Sequence, residues 1–183
     1  MKLFVKSDCL DTNIEIDLNK LMNPNSPLTI YAMIGAIGSG KTTLARKISV
    51  EQNAEFFSLD GTIKSFNVPI KTIYDYELHM EKAREIMTSK AIEWLNKGRS
   101  VVFDIGGPWP WLKGMADFTD TKIEIYLFEI SSEERWRRVQ KRNLEKPEGI
   151  YHFTMTKEEF DSQNPMRGAP PLVPGLKVIK ITK

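Results

Sequence analysis

The run Gly35-Ala36-Ile37-Gly38-Ser39-Gly40-Lys41-Thr42-Thr43 fits the phosphate-binding pattern G-x-x-x-x-G-K-[ST], with an extra glycine inside it. Each residue type has a task in that pattern. Glycines let the backbone curl so that successive N–H groups point inward at an anion. Lys41 then reaches the outer phosphates of a nucleoside triphosphate, and the Thr42 hydroxyl is placed to ligate Mg²⁺. A side chain at Gly40 would obstruct that approach. The stretch from Gly35 through Thr43 is therefore the candidate nucleotide-binding set.

Two carboxylates follow apolar runs elsewhere in the chain. Asp104 comes after Ser100-Val101-Val102-Phe103, the arrangement of a Walker B strand whose carboxylate holds Mg²⁺ directly or through a water. Asp60 follows Phe56-Phe57-Ser58-Leu59 and could accept the proton of a hydroxyl as its oxygen attacks a γ-phosphate. Helix capping is the competing role for both, for Asp60 in the turn from Thr62 to Phe66. The spacing leaves open which of the two is the base.

A third cluster is basic. In Glu133-Glu134-Arg135-Trp136-Arg137-Arg138-Val139-Gln140-Lys141-Arg142-Asn143, helical spacing puts Arg135, Arg138 and Arg142 on one face, beside an apolar stripe of Trp136 and Val139. Phosphoryl transfer spreads negative charge over the moving group, so arginines closing on it stabilise the transition state more than the ground state. The competing role is a solvated basic face paired with Glu133, Glu134 and Glu145.

These side chains need strands that end at them and helices that start from them. Leu28 to Ile34 is a short β-branched run suited to a buried strand, and Leu44, Ala45 and Ile48 follow the glycine loop with helical spacing. Phe56 to Leu59 reads as a second strand ending at Asp60. From Asp75 to Lys97 the positions Tyr76, Met80, Ala83, Met87, Ala91 and Trp94 recur three or four apart, and Gly98 supplies a stop. Ser100 to Asp104 and Lys122 to Ile130 are further strands, the latter alternating Ile123, Ile125 and Leu127 with Glu124 and Tyr126, and Leu176 to Thr182 closes the sheet. The alternation predicts an α/β fold, a mostly parallel five-stranded sheet with helices on both faces.

Residues 1–27 stand outside this rhythm. Leu3-Phe4-Val5 and Ile14 to Leu18, separated by the turn signal Asp11-Thr12-Asn13, predict an added β-hairpin ahead of the nucleotide-binding domain at 28–183. The Pro- and Gly-rich stretch 143–174 is expected to be a lid or substrate loop, with one short helix begun by the capping box Thr156-Lys157-Glu158-Glu159.

Composition narrows the class. With 183 residues, 27% charged and 41% hydrophobic, one globular domain is expected, and a formal net charge of +2 gives no general case for a nucleic acid partner. Cys9 is the single cysteine, and the start of the chain has no apolar run suited to a signal peptide or membrane span, so a cytoplasmic location is expected.

From about Ile30 to Arg167 the chain resembles the small P-loop kinases grouped with the 5'-hydroxyl polynucleotide kinase domain, zeta toxins and chloramphenicol phosphotransferase. The resemblance rests on Gly35 to Thr43 as the Walker A loop, Ser58-Leu59-Asp60, Val101-Val102-Phe103-Asp104 and the helix Arg138-Val139-Gln140-Lys141-Arg142-Asn143. It implies a three-layer α/β/α P-loop fold, ATP with Mg²⁺, and an acceptor hydroxyl. On it, Asp60 is the general base, Arg138 and Arg142 are lid arginines, Lys41 with Thr42 is the phosphate and Mg²⁺ pair, and Asp104 is the second metal residue. A nucleic acid 5'-end, a nucleoside, a sugar and another small alcohol all fit as acceptor.

The chain departs from the family where many relatives carry a small polar residue, reading instead Ile105-Gly106-Gly107-Pro108-Trp109-Pro110-Trp111. Trp109 and Trp111 could stack on an acceptor ring or pack against the core. A GTPase would need an N-K-x-D element, which the sequence lacks. The remaining alternatives are an ATP-hydrolysing switch, or a nucleotide-binding regulatory protein without a phosphoacceptor.

Overall fold

The computed structural model describes residues 2–6, 13–17, 27–107, 110–119, 121–147, 153–163 and 176–182. Its main body is a five-stranded sheet of β3 (Thr29–Ile34), β4 (Glu55–Ser58), β5 (Val101–Gly106), β6 (Lys122–Glu129) and β7 (Lys177–Thr182), in the order β4-β5-β3-β6-β7. All four pairings are parallel. Parallel strands joined by crossovers are covered on both faces, which is why Val101, Val102 and Phe103 are consecutive, apolar and fully buried.

One face carries α2 (Leu59–Lys64), α3 (Ile73–Asn96) and α4 (Pro110–Thr119). There Ala83, Met87, Ala91 and Leu95 of α3 and Leu112, Met115 and Ala116 of α4 meet Ile30, Phe103, Ile105 and Ile125 of the sheet. The opposite face carries α1 (Lys41–Glu51), whose Ala45 and Ile48 pack on Met33, Val102 and Phe128. A third cluster of Val139, Met155 and Phe160 joins α5 (Ser132–Glu145) to α6 (Lys157–Ser162), with Ile37 of the glycine loop and Trp136 packed against it. This is the three-layer α/β/α arrangement expected from the alternation of elements.

The long amphipathic helix starts at Ile73, two residues before the sequence pattern places it. Thr72 caps it through the Asp75 N–H while the Asp75 side chain accepts from the Thr72 N–H, a complete capping box. Helix α4 is absent from the sequence reading, although Pro110 at a first helical position and the spacing of Leu112, Met115 and Ala116 signal it. The Trp111 ring lies edge-on to Phe103 at 5.1 Å, and its Nε1 donates to Thr88 Oγ1 at 2.5 Å, so it packs on the core instead of presenting a stacking surface. Trp109 lies outside the described residues.

Strands β1 (Lys2–Lys6) and β2 (Asn13–Asp17) pair antiparallel in a separate two-stranded sheet. Of the expected lid, Asn143 to Glu145 complete α5, and the capping box at Thr156 and Glu159 starts α6 with both reciprocal bonds formed. Residues 148–152 and 164–175 lie outside the described residues. No helix among the described residues is long and apolar enough to cross a membrane.

Candidate active site

Sheet order gathers the candidate residues. Strand β5 lies between β4 and β3, and its Asp104 is level with Ser58 on one side and Met33 on the other. The chain leaving β3 forms the glycine loop, and the chain leaving β4 enters α2, so three strand ends open on one place. The register between β3 and β5 slips at Met33/Ile34, so that Ile105 is passed over beside Asp104 and Ile34 pairs with Gly106. A cavity of about 360 Å³ lies there, lined by the loop from Gly35 to Thr43 and by Asp60, Tyr76, Arg84, Asp104, Arg138 and Arg142.

The loop is shaped by contacts that only glycine permits. Gly38 has φ +79, and a Cβ on it would stand 2.5 Å from the Arg135 carbonyl oxygen. Lys41 begins α1 and turns its ammonium back to the Ala36 carbonyl at 3.0 Å. Burial in the loop's concavity pushes the Lys41 pKa down, against the pull of Asp104 and then Asp60, while Arg135 and Arg142 push the same way as burial. The Ser39 hydroxyl is buried and makes no hydrogen bond among the described residues.

Thr42 Oγ1 donates to Asp104 Oδ2 at 2.6 Å, and Asp104 lies inside β5, six residues before the next helix begins, not at a helix cap. Burial pushes Asp104 upward from the ordinary carboxylate value, and Lys41 and the Thr42 hydroxyl oppose that shift. Among the described residues no group of three or more His, Cys, Asp and Glu side chains could hold a metal. A hydroxyl and a single buried carboxylate are hard oxygen donors and suit an ion that keeps most of its shell as water and substrate phosphate, as Mg²⁺ does.

Asp60 is not at the end of a strand. Strand β4 stops at Ser58, whose side chain accepts the Gly61 N–H and caps α2, leaving Asp60 in that helix's first turn. The cap is therefore Ser58, and the Asp60 carboxylate is directed elsewhere: its Oδ1 accepts from the Tyr76 hydroxyl at 2.5 Å. Sequence reasoning placed Tyr76 only in the apolar stripe of α3. Its position one turn after the Thr72 cap is the signal that would have raised it.

The three arginines divide by function. Arg135 is buried, its Nε donating to the Ile130 carbonyl at 3.1 Å and its Nη1 to the Ile37 carbonyl at 3.3 Å, with the guanidinium over the Phe160 ring. It braces the loop from behind, and its place one turn before Val139 on the buried stripe signals this. Arg138 faces the loop's mouth, donating to the carbonyls of Gly38 at 3.4 Å and Ser39 at 3.1 Å, while Glu134 holds its Nε at 2.7 Å. Arg142 lines the same cavity. Asn143 pins the returning chain, accepting the Met155 N–H and donating to its carbonyl.

A family model described as an AAA domain (AAA_33) matches residues 30–167. The chain is 30% identical over 117 residues to a shikimate kinase of Buchnera aphidicola subsp. Schizaphis graminum, covering 63% of this chain and 65% of the relative. It is 36% identical over 76 residues to a shikimate kinase of Caldicellulosiruptor bescii, covering 41% and 43%. The chain thus spans less than two thirds of the length of either. Among solved structures, a proposed kinase from Chloroflexus aurantiacus superposes with TM-score 0.70 at 13% identity over 86% of this chain and 90% of that one. Kti12 of Chaetomium thermophilum, solved with ADP-AlF3, gives TM-score 0.57 at 17% identity over 82% and 88%. At these identities the superpositions establish the P-loop fold.

Proposed function

The chain belongs to the AAA domain family AAA_33, and from that membership we propose that it is an ATP-dependent phosphotransferase, moving the γ-phosphoryl group of Mg-ATP to the hydroxyl of a small acceptor. The observation that carries this reading is that Lys41, Thr42, Asp60, Asp104, Arg138 and Arg142 all line one cavity.

In this reading the inward N–H groups of the loop and the Lys41 ammonium bind the triphosphate, whose charge favours the protonated lysine that burial alone disfavours. Thr42 and Asp104 would hold Mg²⁺, which neutralises phosphate charge when bound. The acceptor oxygen forms a bond to the γ-phosphorus while the bond from that phosphorus to the bridging oxygen breaks, releasing ADP. Asp60 takes the acceptor's proton. Arg138 exchanges its two neutral carbonyl partners for phosphate oxygens, a charge-assisted and stronger set, and Arg142 joins it on the developing charge.

The matched shikimate kinases and the formal net charge of +2 both favour a small acceptor over a nucleic acid end. The test is ATP consumption with Mg²⁺, alone and then with separate pools of sugars and hydroxy acids, nucleosides and 5'-hydroxyl oligonucleotides, with Lys41→Ala as control. Turnover that rises with one pool and vanishes in the control supports the transferase and names its acceptor class. Steady turnover that ignores every pool and vanishes in the control overturns it in favour of an ATP-hydrolysing switch.

A further inference from the structure

A base that must meet one hydroxyl has to be held in one orientation, and Asp60 sits on α2, a helix of six residues whose short side chain turns freely unless something fixes it. What fixes it comes from the next helix. Tyr76 is in the fourth position of α3, and that first turn is held by Thr72 at the cap, by the Asp75 carboxylate accepting the N–H groups of Lys71 and Thr72 at 2.9 Å each, and by buried Ile73. The Tyr76 ring packs against the main core. Tyr76 also lines the cavity, and its hydroxyl donates to Asp60 Oδ1 at 2.5 Å.

We propose that Tyr76 is a positioning residue for the reaction, holding the Asp60 carboxylate in one rotamer beside the acceptor. This rests on the reading of Asp60 as base. The donor's own chemistry suits that task. Tyr76 itself stays protonated, because burial and then the Asp60 charge push its own ionisation upward, so it serves as a fixed donor and does not compete for the acceptor's proton.

Tyr76→Phe keeps the packed ring and removes only the donor. With the acceptor pool that supports turnover, the expected result is a fall in kcat of about ten- to a hundredfold with the KM for ATP unchanged, because the nucleotide site lies on the loop. In an Asp60→Asn background the same substitution should change kcat by less than about twofold, because the base that Tyr76 orients is gone.

Equal loss of kcat in both backgrounds, or a lower Tm with a raised KM for ATP, overturns the positioning role and leaves the phosphotransfer reading intact. Full turnover in Asp60→Asn alone instead removes the base, and Tyr76's task with it.

Discussion

The Thr42 hydroxyl donates to the Asp104 carboxylate across 2.6 Å, tying the first turn of α1 to the carboxyl end of β5. Burial pushes Asp104 upward from the ordinary carboxylate value, and Lys41 and the Thr42 donor offset only part of that cost to its ionised form. Since the folded-state value lies above the unfolded one, stability falls as pH rises from the unfolded value through the folded one. Asp104→Asn keeps the shape and an oxygen that can still accept from Thr42, and it removes the buried charge. The expected outcome is a higher Tm for the nucleotide-free protein, by about 2–4 °C for each kcal/mol recovered. Turnover should fall by about a hundredfold or more if Asp104 holds the metal as proposed. Differential scanning calorimetry and an ATPase assay check both halves, and a lowered Tm would show that the carboxylate stabilises the empty site.

Asp60→Asn separates chemistry from folding. Ser58, not Asp60, caps α2, so the cap does not depend on the carboxylate. The expected outcome is nearly unchanged ATP affinity and Tm, with transfer slowed by about a hundredfold or more. Nucleotide titration by fluorescence together with single-turnover transfer is the measurement. A loss of Tm with normal transfer would return Asp60 to a structural role.

Glu134 makes the Arg138 contact sensitive to acid. Its carboxylate accepts from Arg137 and Arg138, and these two guanidinium groups pull it down from the ordinary value to about 2. A depressed carboxylate contributes its stability above the unfolded value, and that contribution is lost as pH falls from the ordinary carboxylate range towards about 2. The pair is solvent-facing, so the effect on global stability is small. The expected outcome for Glu134→Gln is a flatter acid-stability curve over that window and weaker nucleotide binding at neutral pH, because Arg138 loses the partner that aims it. Chemical denaturation at a series of pH values checks the first, and an unaltered curve would disprove the coupling.

The fold was legible where a residue's neighbours in sequence decide its place. Gly35 to Thr43, the buried β5 triplet Val101 to Phe103 and the α6 capping box all act through local backbone geometry, and each stands where the pattern puts it. Relations between distant segments were not legible. Tyr76 meets Asp60 only because α2 and α3 fold back on one another, and periodicity assigns the tyrosine to the apolar stripe without revealing its hydroxyl's partner. Arg135 shares a helix face with Arg138 and Arg142, yet Phe160 and the Ile37 carbonyl bury it, and both come from segments far along the chain. Helix α4 was hidden by what precedes it, since its first residues Pro110 and Trp111 continue the run Gly106-Gly107-Pro108-Trp109, whose glycines and proline break helical periodicity.

Gly38 and Gly98 offer a paired test of the loop's architecture, because both take positive φ, +79 and +76, and only one is crowded. A Cβ at Gly98 meets nothing within 4 Å, so Gly98→Ala should cost only the backbone strain of about 1–2 kcal/mol at the end of α3. A Cβ at Gly38 meets the Arg135 carbonyl oxygen at 2.5 Å, so Gly38→Ala must add a displacement of the loop from α5 to the same strain. That displacement draws Ile37 from the Arg135 guanidinium and the Gly38 carbonyl from Arg138, two of the contacts that seat the loop. The expected outcome is a loss of ATP affinity of at least about tenfold for Gly38→Ala beyond its Tm change, with unaltered affinity in Gly98→Ala. Isothermal titration with a non-hydrolysable ATP analogue reads the difference. Equal affinity in the two variants would mean that the loop forms its phosphate cradle without the Arg135 brace.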